Sequence, residues 1–166
     1  MPQDEAPQHG LSEPIGDYTF AIPDGEVSLA DLFASKRDLL VVHNMGKRCS
    51  YCTMWADGFN GLLRHLEDRA AFVLASPDEP RVQRAFAEER GWKFRMVSTM
   101  GSSFNADLGF EPEHGKVAPG VSALYKQDDG TIVRTGKAVF GPGDLFNSAW
   151  PMFDLLKDGA NGWGPK

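Results

Sequence analysis

The chain has 166 residues, a length that suits one compact domain and would leave two domains undersized. With 42% hydrophobic and 24% charged residues, its composition is that of a globular protein, which sets aside disordered, fibrous and membrane-embedded classes. Seventeen Lys and Arg against 23 Asp and Glu give a formal charge of −6, opposite in sign to the footprint of proteins that bind nucleic acid or anionic membranes.

Residues 1–16 carry three prolines but no basic start or long apolar run, so they read as a flexible lead-in and not as a secretory signal. Tyr18 to Ile22 is a short extended run that ends at the turn cluster Pro23-Asp24-Gly25. Ser28 and Asp31 resemble a capping box ahead of Leu29, Leu32 and Phe33, which predicts a short helix over about 28–35. Leu39-Leu40-Val41-Val42 is continuously apolar and partly β-branched, the pattern of a central strand covered on both faces. Cys49-Ser50-Tyr51-Cys52 stands where helical periodicity begins with Trp55, Phe59, Leu62, Leu63 and Leu66, and Gly58 and Gly61 predict a kink or a weakened turn in that helix.

Ala71 to Ala75 reads as a second buried strand, Glu79 to Arg90 as an amphipathic helix with Val82 and Phe86 inward, and Phe94 to Ser98 as a third strand. Thr99 to Val117 reads as loop with one short helix near Phe104 to Leu108. Val121 to Tyr125 and Thr131 to Phe140 flank Asp128-Asp129-Gly130 and predict a hairpin. Asp144 is placed to cap a last helix reaching about Lys157, which Pro151 would kink or split, and residues 158–166 form a Gly-rich tail expected to fray. No run approaches the roughly 20 apolar residues of a membrane-spanning helix. The expected location is therefore the cytoplasm, where a Cys pair is more often catalytic, redox-sensing or metal-binding than a permanent bridge.

This order of elements, with Cys-x-x-Cys opening a helix after a buried strand, resembles the thioredoxin superfamily. Ala118-Pro119-Gly120 before a strand and Tyr125-Lys126 before a tight acidic turn agree with it, and the opening segment resembles its peroxiredoxin-type relatives. A closer resemblance is to the thioredoxin-like family called domain of unknown function 899, carried by Trp55-Ala56-Asp57-Gly58-Phe59-Asn60-Gly61, by Gly101-Ser102-Ser103-Phe104-Asn105 and by Gly143-Asp144-Leu145 with Trp150. The implied fold is α/β, a central mixed β-sheet flanked by helices over residues 17–157, with an N-terminal β/α extension of peroxiredoxin-like type. The resemblance also implies a cis bond before Pro119, with Ala118 and Pro119 shaping a groove where a substrate chain docks.

The chemistry rests on Cys49. The first turn of a helix offers unpaired N–H groups and a positive dipole end that stabilise a thiolate, and Lys47 and Arg48 are expected to add positive charge. Two intervening residues let Cys52 reach Cys49 within one turn and resolve a mixed disulfide. The expected activity is thiol-disulfide exchange with a protein or small-molecule disulfide, with Cys49 attacking and Cys52 resolving. His43, six residues before Cys49, is a candidate to take the Cys52 proton, against the plainer reading of a hydrogen-bonded histidine. Tyr51, Arg48 and Trp55 are candidates to line the substrate cleft, with Trp55 more simply a core residue.

Two alternatives stand beside exchange: a peroxiredoxin-like peroxide reductase, and a binding module without catalysis. The peroxidatic Pro-x-x-x-Thr-x-x-Cys pattern is absent, since Val42 and Gly46 occupy those places before Cys49. His9, His43, His65 and His114 lack the paired spacing of a zinc site, and no nucleotide fingerprint occurs, so no metal or cofactor is expected.

Overall fold

A computed structural model describes residues 6–166. The elements among them are β1 (Gln8–Ile15), β2 (Thr19–Ile22), β3 (Gly25–Ser28), α1 (Leu29–Leu32), β4 (Asp38–His43), α2 (Ser50–Arg69), β5 (Ala71–Ser76), α3 (Pro80–Arg90), β6 (Arg95–Ser98), α4 (Phe104–Asp107), β7 (Gly120–Lys126), β8 (Ile132–Val139) and α5 (Ala149–Asp154). They form one mixed sheet in the order β1-β8-β7-β4-β5-β6-β2-β3, flanked by helices. β4, β5 and β6 run parallel, and β7 lies antiparallel to β4 and to β8. β4 is central because its apolar run can be covered on both sides.

Alternation along β4 divides the interior in two. Leu39 and Val41 join Phe33, Phe104 and Leu124 on one face, while Val42 joins Cys52, Trp55, Phe72 and Phe140 on the other. The long helix α2 covers the second face, carries Cys52 and is capped by Cys49. It runs unbroken through Gly58 and Gly61, where the sequence predicts a kink. Phe59 and Leu63 are buried against the sheet, and this packing outweighs the roughly 1 kcal/mol that each glycine costs a helix. Beside Gly58 the Asn147 amide donates to the Met54 carbonyl at 3.0 Å and ties the loop before α5 to the helix.

α1 starts as its cap predicts, with the Ser28 hydroxyl accepting the Asp31 N–H at 3.1 Å. Four expectations are corrected. Residues 8–15, expected within a flexible lead-in, form an edge strand against β8, interrupted by a bulge between His9 and Glu13. The signal is weak because Leu11, Glu13 and Ile15 are only half-buried and Pro14 is tolerated on an edge. Asp144 caps no helix; its carboxylate accepts the Gly141 and Phe146 N–H groups at 3.0 Å and holds the loop before α5. Pro151 stands at the third position of α5, in the first turn, where a missing N–H breaks no bond. Residues 158–166, expected to fray, are packed back on α5: Trp163 lies edge-on against Phe153 and Trp150, with ring centres at 5.0 and 5.9 Å.

β1 also completes a buried ion pair. Arg134 on β8 is 6% exposed and donates to Glu13 at 2.6 Å and to the Leu108 carbonyl at 2.6 Å. Removing one partner of a buried pair strands the other's charge. Glu13→Ala is expected to lower unfolding free energy by about 1–3 kcal/mol, moderated by the 43% exposure of the Glu13 side chain. Urea denaturation reads this directly, and a loss under about 0.5 kcal/mol, the range of an ordinary surface change, would show β1 to be dispensable.

Candidate active site

The site begins where β4 ends. After His43 the chain turns through Asn44, Met45 and Gly46, and Cys49 becomes the N-cap of α2 with extended backbone, φ −90° and ψ 105°. Its sulfur accepts the Cys52 N–H at 3.1 Å, so the thiol occupies the place of a capping oxygen. Cys49 is half-buried and Cys52 is buried; both are free thiols.

The Cys49 thiol is brought down from an ordinary 9.0 to about 7. Hydrogen bonding from the Cys52 thiol is the largest cause, the backbone N–H groups of Cys52 and Tyr51 add to it, and burial opposes it. Lys47 and Arg48, expected to supply positive charge, are exposed and are not among the causes. The Cys52 thiol is pushed up, first by its hydrogen bond to Cys49 and then by burial. One sulfur is thus poised as the anion and the other as its proton-bearing partner.

Cys49 opens onto a cleft of about 470 Å³ whose walls include Met45, Tyr51, Trp55, Ala118, Pro119 and Phe140. Four of the expected substrate-binding residues, Ala118, Pro119, Tyr51 and Trp55, therefore meet here; Arg48 does not line it. The cleft is mostly apolar, with Lys116 and Glu113 paired at 2.8 Å among its lining residues. The expected cis bond is corrected, since no peptide bond among the described residues is cis. Ala118 N–H donates to the Phe110 carbonyl at 2.7 Å and the Pro119 carbonyl accepts Phe140 N–H at 2.9 Å, which sets the chain extended into β7 through the commoner trans bond.

His43 is corrected as well. One step along β4 from Val42, it faces the other side of the sheet from the cysteines and stacks on Phe110 with ring centres 3.9 Å apart. Its Nδ1 lies 2.9 Å from Asn105 Oδ1 and its Nε2 2.9 Å from Ser122 Oγ. Because the Asn105 amide donates to Thr99, Nδ1 carries the proton and Nε2 accepts the Ser122 hydroxyl. Burial lowers its pKa to about 4, so the ring is neutral.

The string Trp55 to Gly61 holds the helix in place. The Trp55 indole donates to Asp144 at 3.1 Å, Asp57 accepts the Trp92 indole at 2.8 Å and pairs with Arg90, and Asn60 accepts Lys93 N–H at 2.8 Å and donates to the Gly91 carbonyl. Tyr51, between the cysteines, stacks on Trp150 with ring centres 6.2 Å apart. Gly164 approaches the Tyr51 hydroxyl so closely that a Cβ would lie 2.8 Å from it. Sequence reasoning missed Met45, Phe140 and Asn44 at this site. Asn44-Met45-Gly46 was legible in principle, since Asn two residues before Gly marks an Asx turn.

A parallel β4-β5-β6 core, an antiparallel β7-β8 pair and a Cys-x-x-Cys at the N-terminus of the helix after β4 define a thioredoxin-like domain, and β2, β3 and α1 extend it in the peroxiredoxin manner. Residues 12–163 match the family described as bacterial protein of unknown function (DUF899), and the chain belongs to it. No curated protein matches the sequence. Among solved structures it is similar to peroxidoxin BcpB from Mycobacterium tuberculosis, at 20% identity and a TM-score of 0.62 over 80% of this chain and 86% of that one. It is likewise similar to reduced Prx3 from Vibrio vulnificus, at 18% identity and 0.61 over 83% and 90%. A third is the bacterioferritin comigratory protein of Xanthomonas campestris, whose structure is reported with alkyl peroxide reduction activity, at 16% and 0.59 over 76% and 83%.

Two predictions follow the geometry. Alkylation of Cys49 by iodoacetamide should rise with pH about a midpoint near 7, and Cys52→Ala, which removes the largest cause of the shift, should move that midpoint up toward the ordinary thiol range. Because the folded value lies below the unfolded one, the same thiolate adds stability as pH rises from about 7 to about 9 and adds none below that window. A midpoint unmoved in Cys52→Ala would show the helix start alone to be responsible.

His43→Ala should lower stability by about 2–4 kcal/mol, by opening a cavity and leaving the Asn105 side-chain oxygen and the Ser122 hydroxyl proton without their ring partners, while Cys49 alkylation changes less than about twofold. With His43 in place, stability falls as pH drops from 6.5 toward about 4, because only the unfolded chain takes up the proton there. A His43→Ala protein of normal stability with a slowed thiol would return the residue to the catalytic site.

Proposed function

We propose that this protein exchanges dithiol for disulfide, with Cys49 as the attacking thiolate, Cys52 as the resolving thiol and no cofactor. The single observation that carries the reading is the Cys49 sulfur serving as helix cap to the Cys52 N–H while it faces an open, largely apolar cleft. A thiolate attacks one sulfur of a bound disulfide, releases the other as a thiolate and remains linked to the first until its neighbour displaces it. The cleft and the flanking backbone at Ala118 and Pro119 suit a protein or small-molecule disulfide. A net charge of −6 argues against nucleic acid or an anionic membrane as partner. No helix among the described residues is long and apolar enough to cross a membrane, and a reducing compartment such as the cytoplasm would keep the pair ready.

Peroxide reduction by Cys49 is the second reading. It is favoured by the peroxiredoxin-like fold and by a half-open thiol with a pKa of about 7. Against it, Val42 and Gly46 stand where a peroxidatic thiol's Pro and Thr are expected. The test is turnover of hydroxyethyl disulfide coupled to NADPH through glutathione and its reductase. Activity should fall at least about a hundredfold in Cys49→Ser and strongly in Cys52→Ser, consistent with a loss of the nucleophile. Saturable peroxide consumption without disulfide turnover would transfer the assignment to the second reading, and two thiols that never form an intrachain bridge would leave only a binding module.

A further inference from the structure

A resolving thiol buried beneath the first needs help, because the charge that appears on it when it gives up its proton, ahead of attack, is cut off from water. His43 gives none, since it lies across the sheet. The groups around Cys52 Sγ supply a different candidate. The Met45 N–H points at that sulfur at 3.5 Å, and Cys52's own N–H is already committed to Cys49. Met45 owes its position to the residues on either side. Asn44, 6% exposed, anchors its own N–H on the Ala75 carbonyl at 2.9 Å, accepts the Gly46 N–H on Oδ1 at 2.7 Å and donates from Nδ2 to the Cys52 carbonyl at 3.4 Å.

Gly46 takes φ +105°, a conformation that side chains rarely adopt, and a Cβ there would lie 2.9 Å from Asp78 Oδ1. Asp78 fixes the far side by accepting the Lys47 N–H at 2.8 Å. The turn is therefore tied through Asn44 to β5 and to the Cys52 carbonyl on α2, and at its far end to Asp78 in the loop after β5.

We propose that the Asn44-Met45-Gly46 turn is the positioning device of the resolving step, with Asn44 holding the Met45 N–H where the Cys52 sulfur becomes an anion. This rests on the exchange reading above. In the step, Cys52 loses its proton to solvent, its sulfur bonds to Cys49 Sγ, the bond from Cys49 to the substrate sulfur breaks, and the substrate leaves as a thiolate. The protein gains one disulfide and the substrate disulfide has been reduced to two thiols. The raised pKa of Cys52 fits the need for a donor, and the Met45 N–H is among the groups that oppose that rise.

Dithionitrobenzoate separates the two steps, because each releases a coloured thiolate. Attack by Cys49 liberates the first, and displacement by Cys52 liberates the second. In stopped flow, Asn44→Ala should lower the ratio of second-phase to first-phase rates by about tenfold, the loss of one hydrogen bond to a charged sulfur. The pH midpoint of the second phase should rise as well. Asn44→Ser, which keeps an oxygen for the Gly46 N–H, should recover part of the ratio, and Gly46→Ala should lower it independently. A thermal melt of each variant confirms that folded protein is compared. An unchanged ratio in both Asn44→Ala and Gly46→Ala, or a fall without a shift in the second-phase midpoint, overturns the assignment to the turn. A wild type that releases a single thiolate overturns exchange itself, a distinct result visible before any variant is made.

Discussion

A sulfur acting as helix cap is the constraint around which this molecule is organised. Most helices begin on an oxygen from Ser, Thr, Asp or Asn, and α2 begins on Cys49. The contact that satisfies the Cys52 N–H also favours the thiolate, adding to the larger effect of the Cys52 thiol, so the helix cap and the lowered thiol pKa share one contact. It ties the state of the thiol to the integrity of α2, whose middle turns are fastened through Trp55, Asp57 and Asn60 to neighbouring loops. Residues that touch no substrate thus decide where the sulfur sits.

The sheet imposes the second rule. Because successive side chains on a strand face opposite ways, Val42 meets the dithiol layer and His43 the layer beneath. Glu13, Arg134, Ser122, His43, Asn105 and Thr99 form a continuous chain of polar contacts on that side. The chain links β1 at one edge to the loop after β6, and its neutral imidazole is a joint in that framework. A histidine placed six residues before a reactive cysteine invites a catalytic role, and strand parity refuses it.

Much of this was legible before any coordinates. Continuous apolar runs identify β4 and β5, a Ser-x-x-Asp cap finds α1, the acidic-Gly turn finds the β7-β8 hairpin, and a Cys pair at the start of helical periodicity finds the site. What escaped did so for physical reasons. β1 buries little and makes its case through backbone pairing, which composition does not report. Asp144 is read locally as a cap, whereas its partners are a loop and an indole 89 residues away. A proline before a strand satisfies a sequence pattern in either isomer, and only the surrounding hydrogen bonds choose. Asn44 lay in the open as an Asx turn, but its meaning depends on Cys52 standing underneath.

The close approach of Gly164 to Tyr51 joins the carboxyl end of the chain to the middle of the dithiol motif. A side chain at position 164 would press on the ring that separates the two sulfurs, so the dithiol motif sets a size limit on a residue far along the sequence.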